Sequence, residues 1–233
     1  MTSHARPGDA VLFDVDGTLV DSTYHHAVAW HRAFKRHGLQ VPIWRVHRTI
    51  GMGGDKLVGE VVGDDVEKEH GDSLREAWKE EYSELIAEVA PLPGAADLVR
   101  GLSEAGYVVA LSSSGEKPFA DAAVEDLGIG AQVATVTTSS DAENSKPDAD
   151  ILVATLEALD GVERAILVGD TPYDVQSAAR IGLGCVGLLT GGFSKAELEE
   201  AGAVIVAVDL TELHDWDWSA HLKAPRAADG KAA

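Results

Sequence analysis

Cysteine is nearly absent from this chain. Cys185 is the only one in 233 residues, so no disulfide can form within the chain and nothing points to an oxidising compartment. Its setting, Gly184-Cys185-Val186-Gly187-Leu188-Leu189, reads as a buried strand in which the thiol is inert core. Positive charge is also scarce: 19 basic side chains face 39 acidic ones, for a formal net charge of −20. That balance argues against nucleic acid or an anionic membrane as partner. It also means that an anionic substrate needs local cations. No apolar run is long enough to span a bilayer, and residues 1–9 lack the apolar segment of a signal peptide, so the expected location is cytoplasmic. What remains is ordinary for a globular protein, with 45% hydrophobic and 25% charged residues. The length suits one large domain, or a core with a smaller companion.

The pattern along the chain changes twice. Residues 10–13 form an apolar strand. From Ser22 to about Ala90 the period is helical, with loops expected at 38–42, 51–55 and 63–64 and no convincing strand. Pro91-Leu92-Pro93-Gly94 then breaks the chain. After it, expected helices at 95–105, 117–127, 148–159 and 174–181 alternate with expected strands at 107–111, 133–137, 165–168 and 185–189. Such alternation implies an α/β fold, a Rossmann-like parallel sheet with helices on both faces. The helical block is then an insertion after the first strand. We expect a core of residues 1–20 and 92–223, a helical cap of 21–91, and a disordered tail at 224–233.

Chemistry concentrates where strands end. Val11-Leu12-Phe13 runs into Asp14-Val15-Asp16-Gly17-Thr18, two acids at the sheet edge where open α/β folds bind ligands. Two such acids can hold a hard cation, or one can attack while the other moves protons; they can also be polar strand caps. Leu111 is followed by Ser112-Ser113-Ser114-Gly115, either an anion cradle or a serine-rich N-cap turn. Val168 is followed by Gly169-Asp170-Thr171-Pro172-Tyr173-Asp174, in which Asp174 also suits a helix N-terminus. Lys146 precedes an acidic first helical turn, as a solvated lysine or as a charge partner for the acids.

Taken together, these four segments resemble the haloacid dehalogenase-like hydrolase superfamily. Asp14 to Thr18 match its first motif, Ser112 its second, Lys146 its third and Gly169 to Asp174 its fourth, in order and at the expected boundaries. The insertion resembles the family's α-helical cap of the first type. The resemblance implies a phosphatase, since the dehalogenase branch lacks an acid at the position of Asp16. It implies Mg²⁺ held by Asp14, the Asp16 backbone carbonyl and Asp170, with Asp174 and Thr18 supporting that set. Asp14 is then the nucleophile that forms an aspartyl-phosphate, and Asp16 the acid and base. Ser112, the Ser113 N–H and Lys146 hold the phosphoryl oxygens.

The cap is less legible. His26 sits where some sugar-phosphate members of the family place an active-site histidine, and it equally suits a half-buried helix position. Gly51-Met52-Gly53-Gly54-Asp55 resembles the cap loop that lies over the site. In members like β-phosphoglucomutase that loop carries an arginine where this chain has Gly54, and a glutamate stands where it has Gly169. Both departures weaken a mutase reading. Arg48 and Lys56 are the remaining candidates for a second anion and otherwise read as surface charges. Five of the nine histidines fall between His25 and His47 without a ligand pair, so they are expected to be solvated rather than metal-bound. The substrate implied is a small phosphorylated metabolite, and the chain is expected to be a monomer or homodimer. The alternatives are a sugar-phosphate mutase, a non-catalytic binding protein and a 2-haloacid dehalogenase.

Overall fold

Six parallel strands form one sheet in the order β3-β2-β1-β4-β5-β6. They are β1 (Asp9–Phe13), β2 (Val108–Ser112), β3 (Val133–Thr137), β4 (Arg164–Gly169), β5 (Gly184–Leu188) and β6 (Ile205–Ala207). The computed structural model describes residues 5–226. Helices α5 (Ala95–Glu104), α6 (Lys117–Leu127), α7 (Asp150–Glu157), α8 (Pro172–Arg180) and α9 (Lys195–Ala201) connect the strands. Strand β1 is buried along its whole length, and alternate side chains serve opposite faces. Val11 and Phe13 pack with Leu98, Val99 and Leu102 of α5. Ala10 and Leu12 pack with Leu152 of α7 and with Val175 and Ala178 of α8.

The order of the strands decides where a site can form. The chain leaves β1 to build β2 and β3 on one side, then crosses to β4, β5 and β6 on the other. The C-terminal ends of β1 and β4 therefore flank a crevice at the topological switch point. Phe13 pairs with Val168 and with Leu111, so Asp14, Ser112 and Gly169, each one residue further on, lie at one level.

Between β1 and α5 the described chain is helical: α1 (Thr23–Arg36), α2 (Ile43–His47), α3 (Gly54–Val62) and α4 (Asp64–Leu85). This block has its own core, in which Trp30, Phe34, Leu57, Leu74 and Trp78 are buried together. At roughly 1.5–3 kcal/mol for each large apolar side chain removed from water, that cluster gives the helices a reason to stay folded.

The expected elements differ from the observed ones mainly at their ends. The loop expected at 51–55 is shorter, because Gly54 and Asp55 already belong to α3. The last described strand, β6, and helix α9 before it had no expectation; β6 is only three residues long, too short for a period. Of the expected disordered tail, residues 224–226 are described, and the Arg226 N–H donates to the Ile181 carbonyl at 2.7 Å. Residues 227–233 lie outside the described residues. Among the described residues no helix is long and apolar enough to cross a membrane.

Candidate active site

Asp14 follows β1, Asp170 follows β4, and Asp174 lies in the first turn of α8. One carboxylate oxygen from each lies within 4.8 Å of the other two, and all three residues are buried. Lys146, itself 1% exposed, reaches into this group from the segment before α7. Its Nζ lies 2.6 Å from Asp14 Oδ1 and 2.7 Å from Asp174 Oδ1. The other Asp174 oxygen, Oδ2, accepts from the Thr171 N–H (3.0 Å) and hydroxyl (2.7 Å), a capping box that fixes the carboxylate. Thr18 donates to Asp170 Oδ1 at 2.9 Å.

Three carboxylates and one ammonium leave an excess of negative charge in a buried site. Two like charges 4 Å apart repel by about 4 kcal/mol even at an effective dielectric near 20. The titration of the group reflects this. Burial pushes the Asp14 carboxyl up to about 7, with Lys146 opposing the rise and Asp174 and Asp16 adding to it. Burial, then Asp174 and Asp14, hold Asp170 well above the ordinary carboxylate range. Burial alone would lower the Lys146 ammonium, but Asp14 and Asp174 raise it and keep it charged. Asp170 Oδ2 is buried and accepts no hydrogen bond from the described residues. An orphaned carboxylate oxygen beside two further carboxylates fits a hard divalent cation, which takes oxygen ligands.

Asp16 faces a different way. Its Oδ1 accepts from the Ser22 hydroxyl at 2.7 Å and lies 2.9 Å from His26 Nε2. The His26 ring stacks on Tyr82 with centroids 3.9 Å apart. Burial works to raise the Asp16 carboxyl, but His26 and Ser22 together hold it below its ordinary value. The two acids that are equivalent in sequence thus occupy opposite electrostatic environments.

Ser112 is fully buried, and its hydroxyl has no partner among the described residues. Ser113 departs from expectation. Its N–H, expected to receive an anion, donates instead to the Thr137 carbonyl at 3.0 Å and continues the β2–β3 ladder. Its hydroxyl accepts from the Gly115 N–H and lies 3.5 Å from Asp16 Oδ2. A backbone group just past a strand end remains available to the neighbouring strand, and motif spacing does not register that competition.

Above these groups lies a partly open cavity of about 270 Å³ between the sheet edge and the helical block. Asp14 and Asp16 line it from below; His26 and the whole of Gly51, Met52, Gly53 and Gly54 line it from the block. The Gly53 N–H donates to Ser145 Oγ at 3.0 Å, and Ser145 in turn bonds the Asp55 carboxylate. Lys56 pairs with Asp148 and Arg48 with Glu197, so both cations are engaged in ion pairs across the seam. The seam contacts could not be read from the sequence, since the partners are 90 or more residues apart. All five clustered histidines are less solvated than expected: His26 is buried against Asp16. His25, His31, His37 and His47 each place a ring nitrogen 2.9–3.0 Å from a backbone carbonyl.

A doubly wound sheet with buried carboxylates at its switch point, with an inserted helical block over them, defines an α/β enzyme whose site lies in the cleft between the two. The chain belongs to the haloacid dehalogenase-like hydrolase family, whose profile matches residues 9–182. It is 30% identical over 213 residues to a validoxylamine A 7'-phosphate phosphatase from Streptomyces hygroscopicus subsp. limoneus, covering 87% of this chain and 94% of that one. It is likewise 30% identical over 219 residues to a phosphoglycolate phosphatase of Rhodospirillum rubrum, covering 89% and 90%. The crystal structure of a hydrolase from Pseudomonas syringae superposes with a TM-score of 0.83 at 30% identity, over 88% of this chain and 95% of that one.

Proposed function

We propose that this hydrolase is a Mg²⁺-dependent phosphatase that cleaves a small phosphate monoester through an aspartyl-phosphate on Asp14. The observation that carries the reading is the buried triad of Asp14, Asp170 and Asp174 with Lys146 bridging two of them, placed beneath the cavity between sheet edge and helical block. The names of both relatives support the reaction class. Residues 21–91 serve as the cap and residues 1–20 with 92–223 as the catalytic core.

Phosphate monoesters are dianions, so an anionic nucleophile must be neutralised before it can approach. Asp14 and Asp170, with the Asp16 carbonyl, would hold Mg²⁺, and Asp174 fixes Lys146 beside them. Bound there, the metal supplies positive charge to the phosphoryl oxygens. Lys146 contributes a second cation at Asp14, and the free Ser112 hydroxyl can donate to an equatorial oxygen. An Asp14 carboxylate oxygen attacks phosphorus, and the bond from phosphorus to the leaving oxygen breaks as Asp16 gives up a proton to it. Water then attacks the aspartyl-phosphate. Asp16 takes its proton, the bond between phosphorus and Asp14 breaks, and inorganic phosphate leaves. The second step needs a bare Asp16 carboxylate, which is the form that Ser22 and His26 favour.

The mutase alternative is not favoured. A Cβ at position 169 would lie 2.4 Å from Asp174 Cγ, so the side chain that mutases carry there has no room. The test uses p-nitrophenyl phosphate and a panel of phosphorylated metabolites with Mg²⁺. Phosphate release is expected from the wild type and not from Asp14→Asn, with the variant still folded as read by a cooperative thermal melt. A folded Asp14→Asn enzyme with wild-type turnover would overturn the nucleophile assignment.

A further inference from the structure

The phosphoryl end of the cavity occupies its floor, which leaves the walls to read the leaving group. Beyond Asp14 and Asp16, the charged side chains on those walls are Asp55, Glu116, Glu143 and Arg75. Three acids therefore face one base. Glu116, however, is paired with Lys79 at 2.5 Å, which leaves Asp55 and Glu143 as the lining acids with no cation partner among the described residues. Arg75 is already committed, donating to Glu67 at 2.8 Å, to Asp72 at 2.8 Å and to the Gly54 carbonyl at 3.0 Å. Arg48 and Lys56 are paired with Glu197 and Asp148 and do not line the cavity. A carboxylate or second phosphate on the leaving group would thus meet carboxylates and find no free cation among the described residues. In a chain of net charge −20 the long-range field adds to that penalty.

The other walls offer apolar surface and hydrogen-bonding groups. Trp30 and Trp78 stack with centroids 5.4 Å apart, and both line the cavity with Leu57. Trp78 is 9% exposed, and its indole N–H has no acceptor among the described residues. Glu143, the Asn144 side-chain oxygen and the remaining lone pairs of Asp55 stand on the wall as acceptors for hydroxyl groups. The Asn144 amide nitrogen is held by Asp150, and Asp55 by Ser145. Apolar indole edges beside hydroxyl acceptors suit a ring whose C–H face is apolar and whose rim carries O–H groups.

The geometry points to a phosphate monoester of a neutral cyclic polyol as the substrate, with a second anionic group on the leaving alcohol selected against. This rests on the phosphatase reading and names its substrate class. Specificity arises chiefly by repulsion, since Asp55 and Glu143, with no cation partner among the described residues, reject anionic leaving groups that would otherwise fit.

Two measurements keep the two readings apart. In the first, kcat/KM with Mg²⁺ is compared for p-nitrophenyl phosphate, an inositol monophosphate, glucose 6-phosphate, phosphoglycolate and fructose 1,6-bisphosphate. The cyclic polyol monophosphates are expected to exceed phosphoglycolate and the bisphosphate by about tenfold or more. Glu143→Lys should narrow that ratio, and Trp78→Phe should raise KM for the polyol esters more than it lowers kcat. In the second, the same esters are titrated calorimetrically into Asp14→Asn, which reads the order of affinities without turnover. Equal or better use and binding of phosphoglycolate or the bisphosphate would overturn the substrate class. Absence of turnover with every ester, p-nitrophenyl phosphate included, would overturn the phosphatase reading, while the binding order still decides the proposal.

Discussion

Lys146 Nζ lies 2.6 Å from Asp14 Oδ1 with both side chains at most 5% exposed, a buried ion pair between residues 132 positions apart. Removing one partner of such a pair strands the other charge in a poorly polarisable setting. Lys146→Met should therefore lower stability by about 3 kcal/mol in chemical denaturation. It should also cut kcat/KM by at least about 100-fold, because a cation beside the nucleophile and the phosphoryl oxygens is lost. Mg²⁺ should restore part of the stability and little of the activity. An active, equally stable variant would show that the pair is dispensable.

How much of this site was legible in the sequence depends on the level of structure. Asp14, Ser112 and Asp170 sit where apolar runs stop, so strand period and motif spacing together place them at one sheet edge. Lys146 and Asp174 join them through the pre-helical segments that the Gly, Pro and acidic residues mark. The differing environments of Asp14 and Asp16 were not legible, because Ser22, His26 and Lys146 set them through side-chain packing. The fate of the Ser113 N–H depended on strand register, which a short motif does not encode. The closure contacts, Gly53 with Ser145 and Arg48 with Glu197, arise only once two separate cores are docked. Helix α9 and strand β6 were missed because seven and three residues carry too little period to read.

The raised Asp14 carboxyl gives a signed dependence on pH. Its pKa moves from 3.8 to about 7 on folding, so between those values the folded metal-free protein holds a proton that the unfolded chain has released. The stability of the metal-free protein should therefore fall as pH rises through that window. A divalent cation needs bare carboxylates, so its binding should strengthen over the same interval. Thermal melts with Mg²⁺ and with a chelator should show a larger metal-induced rise at about pH 8 than at about pH 5. Equal shifts at the two values would count against Asp14 as a metal ligand.

At the opposite end of β1 from the site, Asp9 accepts from Arg164 Nε at 2.9 Å and from its terminal nitrogen at 2.8 Å. The Arg6 N–H donates to the same carboxylate at 3.0 Å. Asp9 is buried while Arg164 is partly solvated, which moderates the cost of breaking the pair. Asp9→Ala should destabilise the fold by about 2 kcal/mol, or about 5 °C in melting temperature. Its kcat/KM should stay within about twofold of wild type, since the pair lies a whole strand away from the chemistry. A large loss of activity in the folded variant would show that β1 transmits strain to Asp14.

Closure of the cap can be tested at Gly53. Its N–H donates to Ser145 Oγ, directly before the buried Lys146. A Cβ at Gly53 would lie 2.5 Å from Ser145 Cβ and 2.6 Å from both Ser145 Oγ and Asp55 Oδ1, closer than packed atoms allow. Gly53→Ala must therefore push the 51–54 segment off the core or twist Ser145 aside. Because the segment lines the cavity and touches the hydrophobic cores only through Met52 at the edge of one, the global fold should survive with a melting temperature within a few degrees of wild type. Substrate positioning should not survive: a displacement of about 1 Å in such a site costs on the order of 100-fold in kcat/KM. Ser145→Gly in the same chain removes the obstructing Cβ and hydroxyl, so the double variant should recover part of the loss. Steady-state kinetics of the two single variants and the double variant make the test. If the second substitution deepens the defect additively, the loop acts on the site by a route other than its contact with Ser145.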